Sequence, residues 1–165
     1  MTPQHVVLLV LCLSLAACST AYEWQEFRSG PTTQADVYDA IDTLARADGF
    51  GPSTESDRGL AVWVSRWRVQ QLGLGRPGRL RLRAEILLDE SSAETGFTIR
   101  YYFERQKVKE LKHAQNPQED DWSDDGQDQE REFLFGEKLK RRLPAVKVES
   151  ESEPDKSLPT YRSGR

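Results

Sequence analysis

Six arginines stand at strand-like spacing in the middle of the chain: Arg66, Arg68, Arg79, Arg81, Arg83 and Arg100, with Tyr102 just beyond. A guanidinium offers its donors as a planar fork that fits phosphate or carboxylate oxygens two at a time. Several such forks held in register on a rigid sheet would read an anionic glycolipid, an acidic polysaccharide or a partner protein. A second set is acidic. Asp121, Ser123, Asp125 and Glu132 supply oxygens at the first, third, fifth and last positions of a twelve-residue window that has Gly126 in sixth place. That pattern suits a hard cation such as Ca²⁺. Asp128, at a position usually apolar, and Asn116-Pro117, which breaks any preceding helix, weigh against it. The same loop also reads as an acidic cap on the following helix, with Ser123 or Asp125 at the N-cap.

Other chemistry is thinly supplied. The two cysteines, Cys12 and Cys18, both precede residue 19, and His113 is the one histidine beyond residue 5. That stock leaves no thiolate for a zinc site and supplies base-assisted nucleophiles poorly: His113 could serve as a general base, but beside Lys112 it reads as a lone surface histidine. Gly73, Gly75 and Gly78 match a dinucleotide fingerprint, but they open a strand where the fingerprint needs a helix, so they read as turn residues. Glu85 and Glu104 pair as strand-surface carboxylates. The expectation is a binding or structural role and not an enzyme, with calcium in the acidic loop as the alternative and no other cofactor.

Charge is unevenly spread. From Arg58 to Lys112 there are twelve basic and six acidic residues, whereas Gln115 to Glu132 holds eight acidic residues and one arginine. The two segments either neutralise one another or face separate partners. A formal net charge of -4 excludes a uniformly basic nucleic-acid binder.

The elements that must position these groups follow from periodicity. Thr33 and Asp36 have capping spacing at the start of a helix carrying Val37, Ile41 and Leu44 on one stripe, stopped by Gly49 and Gly51-Pro52. Three runs then alternate with period two. Ala61, Trp63, Ser65, Trp67 and Val69 share one face of the first, opposite Arg66 and Arg68. Leu80, Leu82, Ala84, Ile86 and Leu88 share one face of the second, opposite Arg79, Arg81, Arg83 and Glu85. Phe97, Ile99, Tyr101 and Phe103 share one face of the third. Residues 105–112 read either as continued strand or as a basic helix. A second helix from about Gln127 to Leu143 carries Phe135, Leu139 and Leu143, with basic residues at its C-terminal end and Pro144 as the stop. The pattern predicts an α+β fold: a two-layer, three-stranded antiparallel meander with helices on one face, in the order α-β-β-β-α. One domain spans 32–143, and the Ser-, Glu- and Pro-rich stretch 144–165 reads as a disordered tail.

The N-terminus carries a different kind of signal. The apolar run Val6 to Leu15 is too short to cross a bilayer, which needs about 20 apolar residues, but suits a signal-peptide core. Leu15-Ala16-Ala17-Cys18 resembles the lipobox of bacterial lipoproteins. The resemblance implies a signal peptide over 1–17, cleavage before Cys18, and a diacylglycerol thioether with further acylation, such as palmitate, on that cysteine. Residues 18–31 would then be anchor and linker. Several acyl chains on one residue give lasting attachment where a single chain does not. Ser19 after the cysteine implies, by the same resemblance, an outer-membrane protein facing the periplasm.

Overall fold

The two runs with the clearest alternation form the longest strands. Apolar side chains at every second position pack on one side, while the charged residues between them lie on the other. These strands are β4 (Pro77–Ser92) and β5 (Gly96–Val108), antiparallel, with Leu82 opposite Phe103, Ala84 opposite Tyr101 and Ile86 opposite Ile99. The computed structural model describes residues 22–72 and 75–144. The expected signal peptide 1–17, the lipobox cysteine Cys18, Gly73, Leu74 and the tail beyond Pro144 lie outside the described residues.

Four further strands complete the sheet among the described residues: β1 (Gln25–Arg28), β2 (Val62–Val64), β3 (Arg68–Gln71) and β6 (Trp122–Gln127). The order is β1-β5-β4-β2, with β3 also on β4 and β6 also on β5, and every pairing is antiparallel. This overturns the three-stranded meander in α-β-β-β-α order. Three physical causes account for the difference. The aromatic segment expected to be linker pairs with β5 as β1, so the domain begins before residue 32. The acidic run becomes β6, because the free edge of β5 at Gln106 to Val108 takes Trp122, Ser123 and Asp124 as partners. And the run 61–69 is two strands, not one.

That last split changes which way side chains point. Val64 lies opposite Arg83 and Arg68 opposite Leu80, so four steps along β2 and β3 span three along β4. One residue is therefore bulged, and a bulge of one residue exchanges the faces of everything after it. Ser65 makes the bulge: its N–H donates to Leu82 O, and its hydroxyl accepts from Leu82 N, each at 2.9 Å. Trp67 consequently joins the arginine face, and Arg68 turns toward the helices.

Helix α1 (Gln34–Ala47) starts at Thr33, whose hydroxyl accepts from Asp36 N at 3.1 Å, as the capping spacing predicts. Helix α2 (Gln129–Arg142) is capped by Asp128, which accepts from Arg131 N at 3.1 Å, and not by Ser123 or Asp125. Val37, Ala40, Ile41 and Ala45 of α1 and Phe135 and Leu139 of α2 share one core with Leu80, Leu82, Ile99 and Phe103 of the sheet. Phe103 sits edge-on between Phe50 and Phe135, with centroids 5.4 and 5.8 Å away. Such rings contribute about 1 kcal/mol per pair beyond their burial.

Candidate functional site

The side of the sheet turned away from this core carries a ladder of arginines and aromatic rings. Arg79 lies between Trp67 and Trp122, its guanidinium carbon 4.3 and 4.7 Å from their centroids, and Arg81 shares Trp67 at 4.7 Å. Arg100 lies 4.6 Å over Trp24, which meets Tyr102 edge-on, and Tyr22 stacks on Tyr102 at 4.8 Å. Planar guanidinium on planar ring is the geometry in which arginine, unlike lysine, packs well.

Each ladder arginine is also matched by carboxylate. Arg79 holds Glu119 through two bonds of 2.7 and 2.6 Å. Arg81 bonds Glu104 at 2.6 Å and Glu55 at 3.3 Å. Glu85 accepts from Arg83 at 3.1 Å and from Arg100 at 2.9 and 2.6 Å. Burial acts to raise the Glu85 carboxyl, but the two guanidiniums outweigh it and hold it below its ordinary value. Glu119 is lowered too, chiefly by Arg79. Of the expected anion-binding set, then, Arg79, Arg81, Arg83 and Arg100 share the face with Tyr102. Their charge is already answered within the molecule, and Arg79 and Tyr102 are buried.

The acidic segment takes part in this matching. Asp125 pairs with Arg105 at 2.8 Å and Lys107 at 2.7 Å. Ser123 donates to Lys107 O at 3.2 Å. Asp121 is paired with His113 Nδ1 and accepts from Gln118 N at 2.8 Å. Glu132 points the other way, into the body of the protein, where its Oε1 accepts from Phe103 N at 2.9 Å. The four calcium candidates are thus dispersed: Ser123 and Asp125 lie in β6, Asp121 just before it and Glu132 in α2, each engaged with a different partner. Among the described residues no cluster of three or more histidine, cysteine or acidic side chains could hold a metal.

Arg66 and Arg68 depart from the ladder, because the Ser65 bulge carries them past it. They line a solvent-open recess of about 410 Å³ together with Arg46, Trp67, Gly49, Gly51 and Pro52. Arg66 Nε donates to Pro52 O at 3.0 Å and Arg68 Nη1 to Asp48 O at 2.7 Å. Arg68 also lies 5.5 Å over the Phe50 ring. Arg46 is bound to Asp42 at 2.8 Å. Among the described residues neither Arg66 nor Arg68 has a carboxylate in ion-pair range. Each spends one N–H on a neutral carbonyl and keeps the rest of its fork. Gly49, at φ 82, lets the chain turn under Arg68: a Cβ there would sit 3.6 Å from the guanidinium. Sequence reasoning named two of the three arginines and missed Arg46, whose only signal was its place in the last turn of α1.

No protein-family model matches the chain, and no curated protein or solved structure matches it. The reading of function therefore rests on the residues themselves.

Proposed function

We propose that this is a lipid-anchored protein of the bacterial cell envelope, facing the periplasm from the outer membrane, with a binding and not a catalytic role. Its partner is an anionic envelope component, and the contact is the recess of Arg46, Arg66 and Arg68. The observation that carries the reading is the contrast in pairing. Four ladder arginines have carboxylate partners, while Arg66 and Arg68, side by side with Arg46, have only carbonyls. Three guanidiniums with the single counter-charge of Asp42 among them repel one another, and an anion entering the recess lowers that cost and gains bidentate bonds. The whole sheet face, which the arginine spacing suggests as the contact, is too nearly balanced for the task. An acidic patch on a partner protein would be a second occupant of the same chemistry.

The anchor is supported by the apolar run Val6 to Leu15 and the tetrad Leu15-Ala16-Ala17-Cys18. Three residues separate Cys18 from Tyr22, and the four steps reach at most about 14 Å, so acylation would hold the domain against its membrane. Metabolic labelling with a clickable fatty acid, followed by detergent partitioning, tests this. Cys18→Ser should lose the label and Cys12→Ser should keep it; the opposite pattern, or a mature N-terminus other than Cys18, refutes the anchor. Binding is tested by sedimenting the protein with phosphatidylglycerol vesicles and with neutral vesicles. Retention on the anionic vesicles that falls about tenfold in Arg66→Gln, and falls with added salt, is expected. Equal retention by wild type and variant would contradict the recess.

A further inference from the structure

Strand β1 lies at an edge of the sheet, and its backbone groups divide between two sides. Phe27 is opposite Ile99 and Gln25 opposite Tyr101 in β5. Ser29 continues that ladder, its N–H donating to Phe97 O at 2.9 Å. In an antiparallel pair, successive residues turn their N–H and C=O to opposite sides. Residues 25, 27 and 29 therefore bond β5. Glu26 and Arg28 turn their groups outward, where no strand pairs with β1 among the described residues. Gly30 gives its N–H to Pro144 O at 2.6 Å, so the open stretch ends before it.

The side chains of β1 divide as well. Phe27 packs against the core on the helix side, beside a groove of about 430 Å³ between β1 and α2. Phe133 of α2 lines that groove and is 67% exposed. Glu26 and Arg28 lie on the other side, with the arginine ladder, and both are exposed. Arg28 donates to Thr98 Oγ1 at 3.0 Å, but among the described residues neither Glu26 nor Arg28 has an ion-pair partner.

This pattern is self-complementary about Phe27. When a second β1 runs antiparallel to the first with Phe27 facing Phe27, Glu26 of each copy falls opposite Arg28 of the other. Those are the residues whose N–H and C=O are open, so the two oppositely charged pairs are also the two that exchange backbone bonds. The phenylalanines take the non-bonded position between them, where cross-strand side chains come closest. They lie on the helix side, flanked by the groove and Phe133 of each copy. The adjacent register with open groups sets Glu26 against Glu26, which like charge disfavours.

We propose that β1 is a homodimerisation edge: a second copy of this chain pairs with it antiparallel about a two-fold axis at Phe27, with Glu26 and Arg28 as reciprocal partners. A two-fold contact uses the same patch on both copies, so the patch has to complement itself. Main-chain bonds supply the attraction, and the charges confine a pairing-prone edge to one register. β1 begins at Gln25, so the second copy leaves the ladder before the place that Pro144 holds at Gly30.

Charge exchange on the full chain tests this. Two differently tagged copies are mixed in a mild non-ionic detergent and captured through one tag, and wild-type copies should capture each other as concentration rises. Glu26→Arg sets arginine against arginine at both pairs, and Arg28→Glu sets glutamate against glutamate. Each variant should capture itself about tenfold less well than wild type. Mixing the Glu26→Arg copy with the Arg28→Glu copy puts opposite charges back at both pairs and should restore capture. Wild-type copies that stay single at every concentration, as they would with another segment or another protein on this edge, overturn the proposal. So does capture that is equal in all combinations, or that is lost in both variants and does not return in the mixture.

Discussion

Glu132 carries the least balanced environment of any single residue in the core. It is 1% exposed. Its Oε1 accepts from Phe103 N at 2.9 Å and Gln127 Nε2 at 3.0 Å, whereas Oε2 has no partner among the described residues. Burial pushes its carboxyl above the ordinary value against those two bonds, and Asp128 and Glu23 add repulsion. An acid whose pKa is raised by folding binds its proton more tightly in the native state. Stability is then greatest below the ordinary value of 4.5 and is lost as pH climbs through the raised one. A tenfold difference in proton affinity between the folded and unfolded chain is equivalent to about 1.4 kcal/mol. Glu132→Gln keeps the shape and an acceptor oxygen but cannot ionise. Its melting temperature should exceed that of the wild type at pH 8, with the gap closing or reversing at pH 4. Melting curves that run parallel across that range would contradict this account. The carboxylates of the ladder have the opposite sign: Glu85 and Glu119, lowered by their arginines, support the fold above the ordinary carboxylate range and lose that contribution on acidification.

At the scale of elements, the turn between β4 and β5 fixes where β1 can lie. Gly96 has φ 86, and a Cβ on it would collide with the carbonyl oxygens of Ser29 and Gly30. Gly96→Ala should therefore cost about 2 kcal/mol or more, combining left-handed strain with displacement of β1. Gly75→Ala is the matched control. Its φ is 72 but a Cβ there meets nothing within 4 Å, so the cost should stay near 1 kcal/mol. Urea denaturation of both variants checks the difference; equal losses would mean that the close approach of β1 carries no weight. The legible elements were those with a strong one-sided pattern. Leu80 to Leu88 and Phe97 to Phe103 alternate because one face meets both helices, and Thr33 and Asp36 announce the start of α1. β1 was obscured because four residues hold too little pattern. β6 was obscured because Trp122-Ser123-Asp124-Asp125-Gly126-Gln127 has no apolar alternation; it is a strand because β5 offers an edge and Arg105 and Lys107 need a carboxylate. The Ser65 bulge has no signature in a period-two reading. It alone moved Arg66 and Arg68 out of the ladder and Trp67 into it.

Over the whole molecule, opposite charges that are far apart in sequence are brought together. The acidic segment that gives the chain its excess of negative charge meets the basic residues of both long strands, with Glu119 on Arg79 of β4 and Asp125 on Arg105 and Lys107 of β5. Because most of this pairing is at the surface, raising the salt concentration should change global stability only slightly, by less than about 1 kcal/mol per pair. Binding at the recess should respond much more, since there the counter-ion is the ligand. A large loss of folding stability in high salt, with binding unchanged, would reverse that assignment. The recess itself could not be read from the sequence: it needs the C-terminal turn of α1, the left-handed Gly49 and the bulge at Ser65 to bring three arginines to one place.

The most direct measurement follows the guanidinium groups themselves. Arginine Nε–Hε resonances of the wild-type protein, recorded by nitrogen–proton NMR during titration with inorganic phosphate at low salt, separate the recess from the ladder. Resonances of Arg66 and Arg68 should move together along one saturating curve, while those of Arg79, Arg81 and Arg100, already held by Glu119, Glu104 and Glu85, stay in place. Gly51→Asp sets a carboxylate where a Cβ meets nothing within 4 Å, and should abolish the movement. Shifts confined to the ladder arginines, or no saturating shift at Arg66 and Arg68, would contradict an anion-binding role for the recess.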